Sequence, residues 1–93
     1  MKSLADTKEQ IRKFVTEKLA STRKINQVQD QDNLIENGII DSMGIMRLVA
    51  YIESEFVMKV KDEDIVPENF ESVEVISSYI ETVKAVDNGG NNA

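Results

Sequence analysis

Cysteine and histidine are both absent from these 93 residues, and together the two absences remove most of the chemistry a small protein performs alone. Without cysteine there is no disulfide framework, no thiolate nucleophile and no Cys-ligated metal site. Without histidine the commonest metal ligand and the usual general base near neutral pH are missing. Ser-His-Asp and Cys-His catalysis are therefore excluded within the chain. Carboxylates and lysines remain, but no paired carboxylates mark a cleft, and the chain is not expected to be an enzyme. Tryptophan is missing too, and the aromatics are three Phe and two Tyr. A core then has to be filled with Leu, Ile, Val and Met, which suits a helical bundle better than a sandwich built on aromatics.

Long hydrophobic runs are also lacking. No segment approaches the ~20 apolar residues of a membrane span, and no apolar stretch follows Met1-Lys2-Ser3 as a secretory signal would require. The chain reads as soluble, cytoplasmic and monomeric. Its length is that of one small domain, which buries somewhat over ~60% of its unfolded surface, enough for one modest core.

The net charge of −6 is unevenly placed. Residues 1–40 carry seven Lys/Arg against six Asp/Glu (+1), residues 41–74 three against nine (−6), and residues 75–93 one against two (−1). The acidic excess thus begins at Asp41. It would repel nucleic acid and attract basic patches on partner proteins, although a solvated acidic surface that aids solubility accounts for any single carboxylate equally well.

Residues 4–20 read as a helix with Ile11, Phe14, Val15 and Leu19 on one face, Asp6 or Thr7 as its cap and Lys18, Arg23 and Lys24 at its C-terminal end. Residues 21–40 read as a long polar connection pinned by Ile25, Val28, Leu34, Ile35 and Ile39. A connection of that length without a strong period often carries function. A second helix runs from about Ser42 to Phe56, with Ile45, Leu48, Val49, Ile52 and Phe56 as its buried stripe. Met43, Met46, Arg47 and Ala50 form another stripe that continues from Ser42 and faces outwards; dipping of the two Met side chains into the edge of the core is the alternative. Val60, Ile65, Val66 and Phe70 anchor the next connector, where residues 62–66 suit a short helical turn stopped by Pro67. A last helix covers about 72–85, capped by Ser72, with Val73, Ile76, Tyr79, Ile80 and Val83 inwards. One domain is placed at 1–86, and the Gly/Asn-rich stretch 87–93 reads as a disordered tail. The expected fold is all-α: a small four-helix bundle of three main helices and one short one, with a long loop between the first and second.

The most informative segment is the junction of loop and second helix, Leu34-Ile35-Glu36-Asn37-Gly38-Ile39-Ile40-Asp41-Ser42-Met43-Gly44-Ile45-Met46-Arg47-Leu48. Asp41 is a good N-cap, and Ser42 falls in the first turn, where the helix dipole favours an attached anion by roughly 0.3–1 kcal/mol. The pattern of Gly38, an apolar pair, Asp-Ser-Met and a Leu six residues after the Ser resembles the attachment site of acyl and peptidyl carrier proteins.

That resemblance, which covers roughly residues 6–84 in helix order and is strongest over 34–56, implies specific roles. Ser42 would hold covalent 4′-phosphopantetheine, placed there by a phosphopantetheinyl transferase from coenzyme A with Mg²⁺. The arm's thiol would carry an acyl or aminoacyl thioester, loaded by a ligase and passed to downstream acyl-transfer enzymes. Asp41 would cap the helix and help hold the transferase's metal ion, and Gly38 would let the loop bend close to the helix start. Met43, Met46, Arg47 and Ala50 match positions where carriers meet partner enzymes. Ile45, Leu48, Val49, Ile52, Val60, Ile65, Ile76 and Ile80 are either plain core or the lining of a cavity for the cargo.

Two positions depart from the usual pattern. Carriers of general fatty acid synthesis place acids two and five residues after the Ser, where this chain has Gly44 and Arg47. Asp-Ser-Met-Gly is instead similar to D-alanyl carriers and to the aminoacyl or peptidyl carriers of nonribosomal pathways, which points to a specialised pathway. A different class, an EF-hand, starts at Asp30-Gln31-Asp32 but fails at Ile35, where Gly is needed, and at Asp41, where Glu is expected. An unmodified helical adaptor that docks partners through Met43 and Met46 shares the same expected fold.

Overall fold

A computed structural model describes residues 4–19 and 27–91, with side chains described through Ala85. Among the described residues the protein is all-helical. Its main helices are α1 (Leu4–Phe14), α2 (Ser42–Glu55) and α3 (Val73–Asn91). A π-helical turn, Val15–Leu19, prolongs α1, and two 3₁₀ turns, Asp62–Asp64 and Pro67–Asn69, lie between α2 and α3. Ile25, Arg23 and Lys24 lie outside the described residues.

The apolar periodicities produce the core. Ile11, Val15 and Leu19 from the first element, Leu48, Val49, Ile52 and Phe56 from α2, and Val73, Ile76 and Ile80 from α3 are buried together with Val28, Leu34, Ile39, Ile40, Val60 and Phe70. Each fully buried aliphatic side chain in this set contributes about 1.5–3 kcal/mol. Phe14, Ile35, Ile45, Ile65, Tyr79 and Val83, also expected inside, are only partly buried and pack on the core's edge.

Polar contacts tie the elements together. The Thr7 hydroxyl, fully buried, donates to Glu81 Oε2 at 3.1 Å and joins α1 to α3. Phe14 stacks on Tyr51 with ring centroids 4.1 Å apart, which joins α1 to α2. Lys84 Nζ donates to the Phe56 carbonyl at 2.9 Å, so an α3 cation satisfies an acceptor at the end of α2. Tyr79 donates to Asp64 Oδ2 at 2.8 Å and holds the first 3₁₀ turn against α3.

Three local expectations are corrected. The first helix opens at Leu4, so Asp6 lies within its first turn and Thr7 within the helix. Neither is a cap, and burial against α3 has turned the Thr7 hydroxyl to Glu81 instead. Pro67 does not merely stop a turn: it opens a second 3₁₀ turn at its first position, where a missing N–H costs nothing. The last helix continues six residues beyond the expected end at 85, to Asn91, although Asp87-Asn88-Gly89-Gly90-Asn91 are poor helix formers. Its start is as expected, since Ser72 Oγ accepts from Val75 N–H at 3.1 Å.

Candidate functional site

Residues 33–45 are built as two successive caps. Asn33 Oδ1 accepts from Ile35 N–H at 3.2 Å and Glu36 N–H at 2.8 Å, which starts a single turn. That turn is closed by the pair of bonds typical of a left-handed helix terminus. Ile39 N–H donates to Leu34 O at 2.8 Å and Gly38 N–H to Ile35 O at 3.1 Å. The geometry requires a left-handed residue, and Gly38 supplies it with φ +72°. A Cβ at Gly38 would meet nothing within 4 Å, so the glycine is there for its backbone angle and not for close approach.

The reversal at Gly38 sends Ile39 and Ile40 into the core, 4% and 3% exposed. They anchor the loop directly before α2, so Asp41 and Ser42 emerge at the surface. Asp41 is the N-cap: its backbone is extended, and Oδ1 accepts from Gly44 N–H at 2.9 Å. The Asp41 carbonyl takes Ile45 N–H at 2.9 Å. Of the N–H groups that a helix start leaves unpaired, those of Ser42 and Met43 donate to nothing among the described residues. They stand beside the exposed Ser42 hydroxyl and suit an anion bonded to it.

Gly44 has a packing role that sequence reasoning missed. It is buried, and a Cβ there would stand 3.1 Å from Ile40 Cβ. Its place in the chain therefore allows the first turn of α2 to sit on the apolar pair that precedes it. The available signal was its cost: a glycine inside a helix is about 0.5–1 kcal/mol worse than alanine and calls for a packing reason.

The outward stripe is as the 3.6-residue period implies. Met43 is 76% exposed and Met46 54%, so neither dips into the core's edge. Arg47 and Ala50 are exposed as well. Ser42, Met43, Met46, Arg47 and Ala50 line one shallow depression of about 440 Å³. The structure thus brings the expected attachment residue and all four expected partner residues onto one surface. Arg47 has no ion pair among the described residues. Gly38 and Asp41 lie at the approach to this surface, not in its floor.

The carboxylates of the rejected EF-hand are engaged in structural contacts. Asp30 pairs with Arg12 at 2.6 Å, and Asp32 Oδ2 accepts from Gln29 N–H at 2.9 Å. No group of three or more acidic residues among those described is arranged to hold a metal ion. No described helix is long and apolar enough to cross a membrane.

The class this geometry defines is a small all-α protein with an exposed serine at a helix start, backbone donors beside it that are unpaired among the described residues, and an apolar face running away from it. No protein-family model matches the chain, and no curated protein is similar to it in sequence.

Proposed function

We propose that the protein is a discrete acyl or aminoacyl carrier that tethers its cargo as a thioester on 4′-phosphopantetheine attached to Ser42. The observation that supports this most strongly is the setting of Ser42. Its residue is exposed at the start of α2, beside N–H groups that are unpaired among the described residues and next to a small, largely apolar depression. In this reading the bundle is of the acyl-carrier type, the long connection between α1 and α2 delivers Ser42, and the 3₁₀ turns between α2 and α3 take the place of the short fourth helix.

Modification would form a bond from Ser42 Oγ to phosphorus as the pyrophosphate linkage of coenzyme A breaks; adenosine 3′,5′-bisphosphate leaves and the serine proton passes to a base of the phosphopantetheinyl transferase, which works with Mg²⁺. The arm supplies the thiol that this cysteine-free chain lacks. The protein's own residues position it: Asp41 caps α2 and, as a carboxylate beside the reacting hydroxyl, helps hold the transferase's metal ion. Met43, Met46 and Ala50 offer an adaptable apolar docking face, and Arg47 marks it with a positive charge. Arg47 and Gly44, where general fatty-acid carriers have acids, favour a specialised pathway with its own loading ligase. Tethering replaces repeated diffusional encounter by a high local concentration of cargo at each partner.

The test is intact-protein mass before and after incubation with coenzyme A, Mg²⁺ and a promiscuous transferase. Wild type gains one phosphopantetheine and Ser42→Ala gains none. If several transferases leave wild type unchanged, the protein is an unmodified adaptor that uses the Met43/Met46 face.

A further inference from the structure

Ile40 and Gly44 bracket the three residues that form the attachment turn, Asp41, Ser42 and Met43. Ile40 is held from two sides: its side chain is buried, and its N–H donates to Leu34 O at 3.0 Å. Leu34 is itself fully buried, and its N–H donates to Glu71 O at 2.7 Å, just before α3. Ile40 is thus tied through Leu34 to a distant part of the chain and forms a fixed wall. Gly44 sits against that wall from the other side of the turn. It is buried, and its N–H donates to Asp41 Oδ1 at 2.9 Å. A Cβ on Gly44 would stand 3.1 Å from Ile40 Cβ, 3.5 Å from Ile40 Cγ2 and 3.6 Å from Asp41 Oδ1. Ordinary contact begins at 3.4 Å, so that Cβ would be about 0.3 Å too close to the wall.

We propose that Gly44 is a positioning residue for the modification of Ser42, acting through Ile40 and the Asp41 cap. With Ile40 fixed in the core, the room that a side chain at 44 needs is taken from the exposed turn between the two. That turn carries both groups the transfer step uses, the Ser42 hydroxyl and the Asp41 carboxylate. Opening it moves one against the other and loosens the bond from Gly44 N–H to Asp41. Gly44 is buried beneath the turn, so a docked transferase does not touch it. Its effect on loading therefore passes entirely through the placement of its neighbours. A misplacement of 1 Å can cost about 10²-fold in rate, so a shift of about 0.3 Å corresponds to roughly fourfold. The inference rests on the carrier reading of Ser42.

The experiment measures the loading kinetics of Gly44→Ala by intact mass, over a range of carrier concentrations, with coenzyme A, Mg²⁺ and a transferase that loads the wild type. Gly44 lies within α2 and has no left-handed backbone angle, so alanine suits the helix and only the packing changes. The expected result is a kcat lower by roughly fourfold with KM unchanged, since the surface that docks is untouched. A merely structural glycine would change Tm and leave kcat alone. In an Ile40→Ala background the wall can give, and the loss caused by Gly44→Ala shrinks toward none. A wild-type kcat in Gly44→Ala, a rise in KM alone, or an equal loss in the Ile40→Ala background overturns the inference and leaves the carrier reading intact. Should Ile40→Ala fail to fold, the backbone amide NMR signals of apo Gly44→Ala decide in its place. Shifts at Asp41 and Ser42 support the inference, and unmoved signals there overturn it. Failure of the wild type to load refutes the carrier reading, and the inference falls with it.

Discussion

Asp41 carries two roles that a pair of substitutions separates. Its Oδ1 accepts from Gly44 N–H at 2.9 Å and satisfies one of the donors at the start of α2. Asn caps as well as Asp, whereas Ala does not, and loss of such a cap costs about 1 kcal/mol within a range of roughly 0.5–2. For a domain of this size 1 kcal/mol corresponds to about 4–8 °C in Tm. Asp41→Ala is therefore expected to melt lower by about that interval. Asp41→Asn keeps the cap and loses the interaction of its charge with the helix dipole, about 0.3–1 kcal/mol for an exposed group. The rate of arm attachment should respond differently. Both variants lack the carboxylate and both should load much more slowly than wild type, Asn included. The assays are thermal unfolding by circular dichroism and the time course of mass gain. An Asp41→Ala protein that melts with the wild type refutes the capping argument. An Asp41→Asn protein that loads at the wild-type rate refutes the metal-binding role and leaves Asp41 as a cap alone.

Other outcomes follow from single positions. Val57 is a β-branched residue held at φ +51° with its side chain 87% exposed. The left-handed region costs such a residue roughly 1–2 kcal/mol, part of which Gly gives back as chain entropy, so Val57→Gly should raise stability by about 1 kcal/mol in urea unfolding; a decrease would refute the strain argument. The Ser77 hydroxyl is fully buried and has no hydrogen-bond partner among the described residues, so Ser77→Ala should be neutral or stabilising by about 1 kcal/mol. A clear loss in the same assay would mean that the hydroxyl is satisfied. Tyr79 has its phenol pKa raised above the usual 10.0, first by burial and then by its hydrogen bond to Asp64. The folded state thus favours the neutral phenol: the stability this provides is complete below about pH 10 and declines as pH rises beyond it. Tyr79→Phe should flatten that alkaline decline, and an unchanged slope would assign it to other groups, Tyr51 among them, whose pKa is also raised by burial.

The parts of the fold that were legible in the sequence are those with a period. The inward stripe of α2 and the outward stripe of Met43, Met46, Arg47 and Ala50 follow from 3.6 residues per turn, and the Asp41 and Ser72 caps from short polar side chains before apolar runs. The cap of α1 was misplaced because a tertiary contact, Thr7 with Glu81, overrode the capping preference of the residue, and α3 was expected to end at 85 where it runs to Asn91. The wiring of the connection was not legible at all. Leu34 N–H donates to Glu71 O at 2.7 Å and Glu74 N–H to Asp30 O at 3.0 Å, and backbone bonds between distant segments leave no pattern in side chains. Gly44 was legible as part of Asp-Ser-Met-Gly, but not its packing reason, since the 3.1 Å approach of Ile40 exists only once the chain is folded. The π-helical turn at Val15–Leu19 left no signal that periodicity detects.

The central claim is that one serine, at one helix start, bears the arm. Its most direct test is peptide-level fragmentation mass spectrometry of the transferase-treated protein. Ser54, Ser72, Ser77 and Ser78 serve as internal controls on the same chain. The account predicts a single phosphopantetheine on the peptide that contains Ser42 and none on the others. An arm on any other serine, or none anywhere, would contradict it.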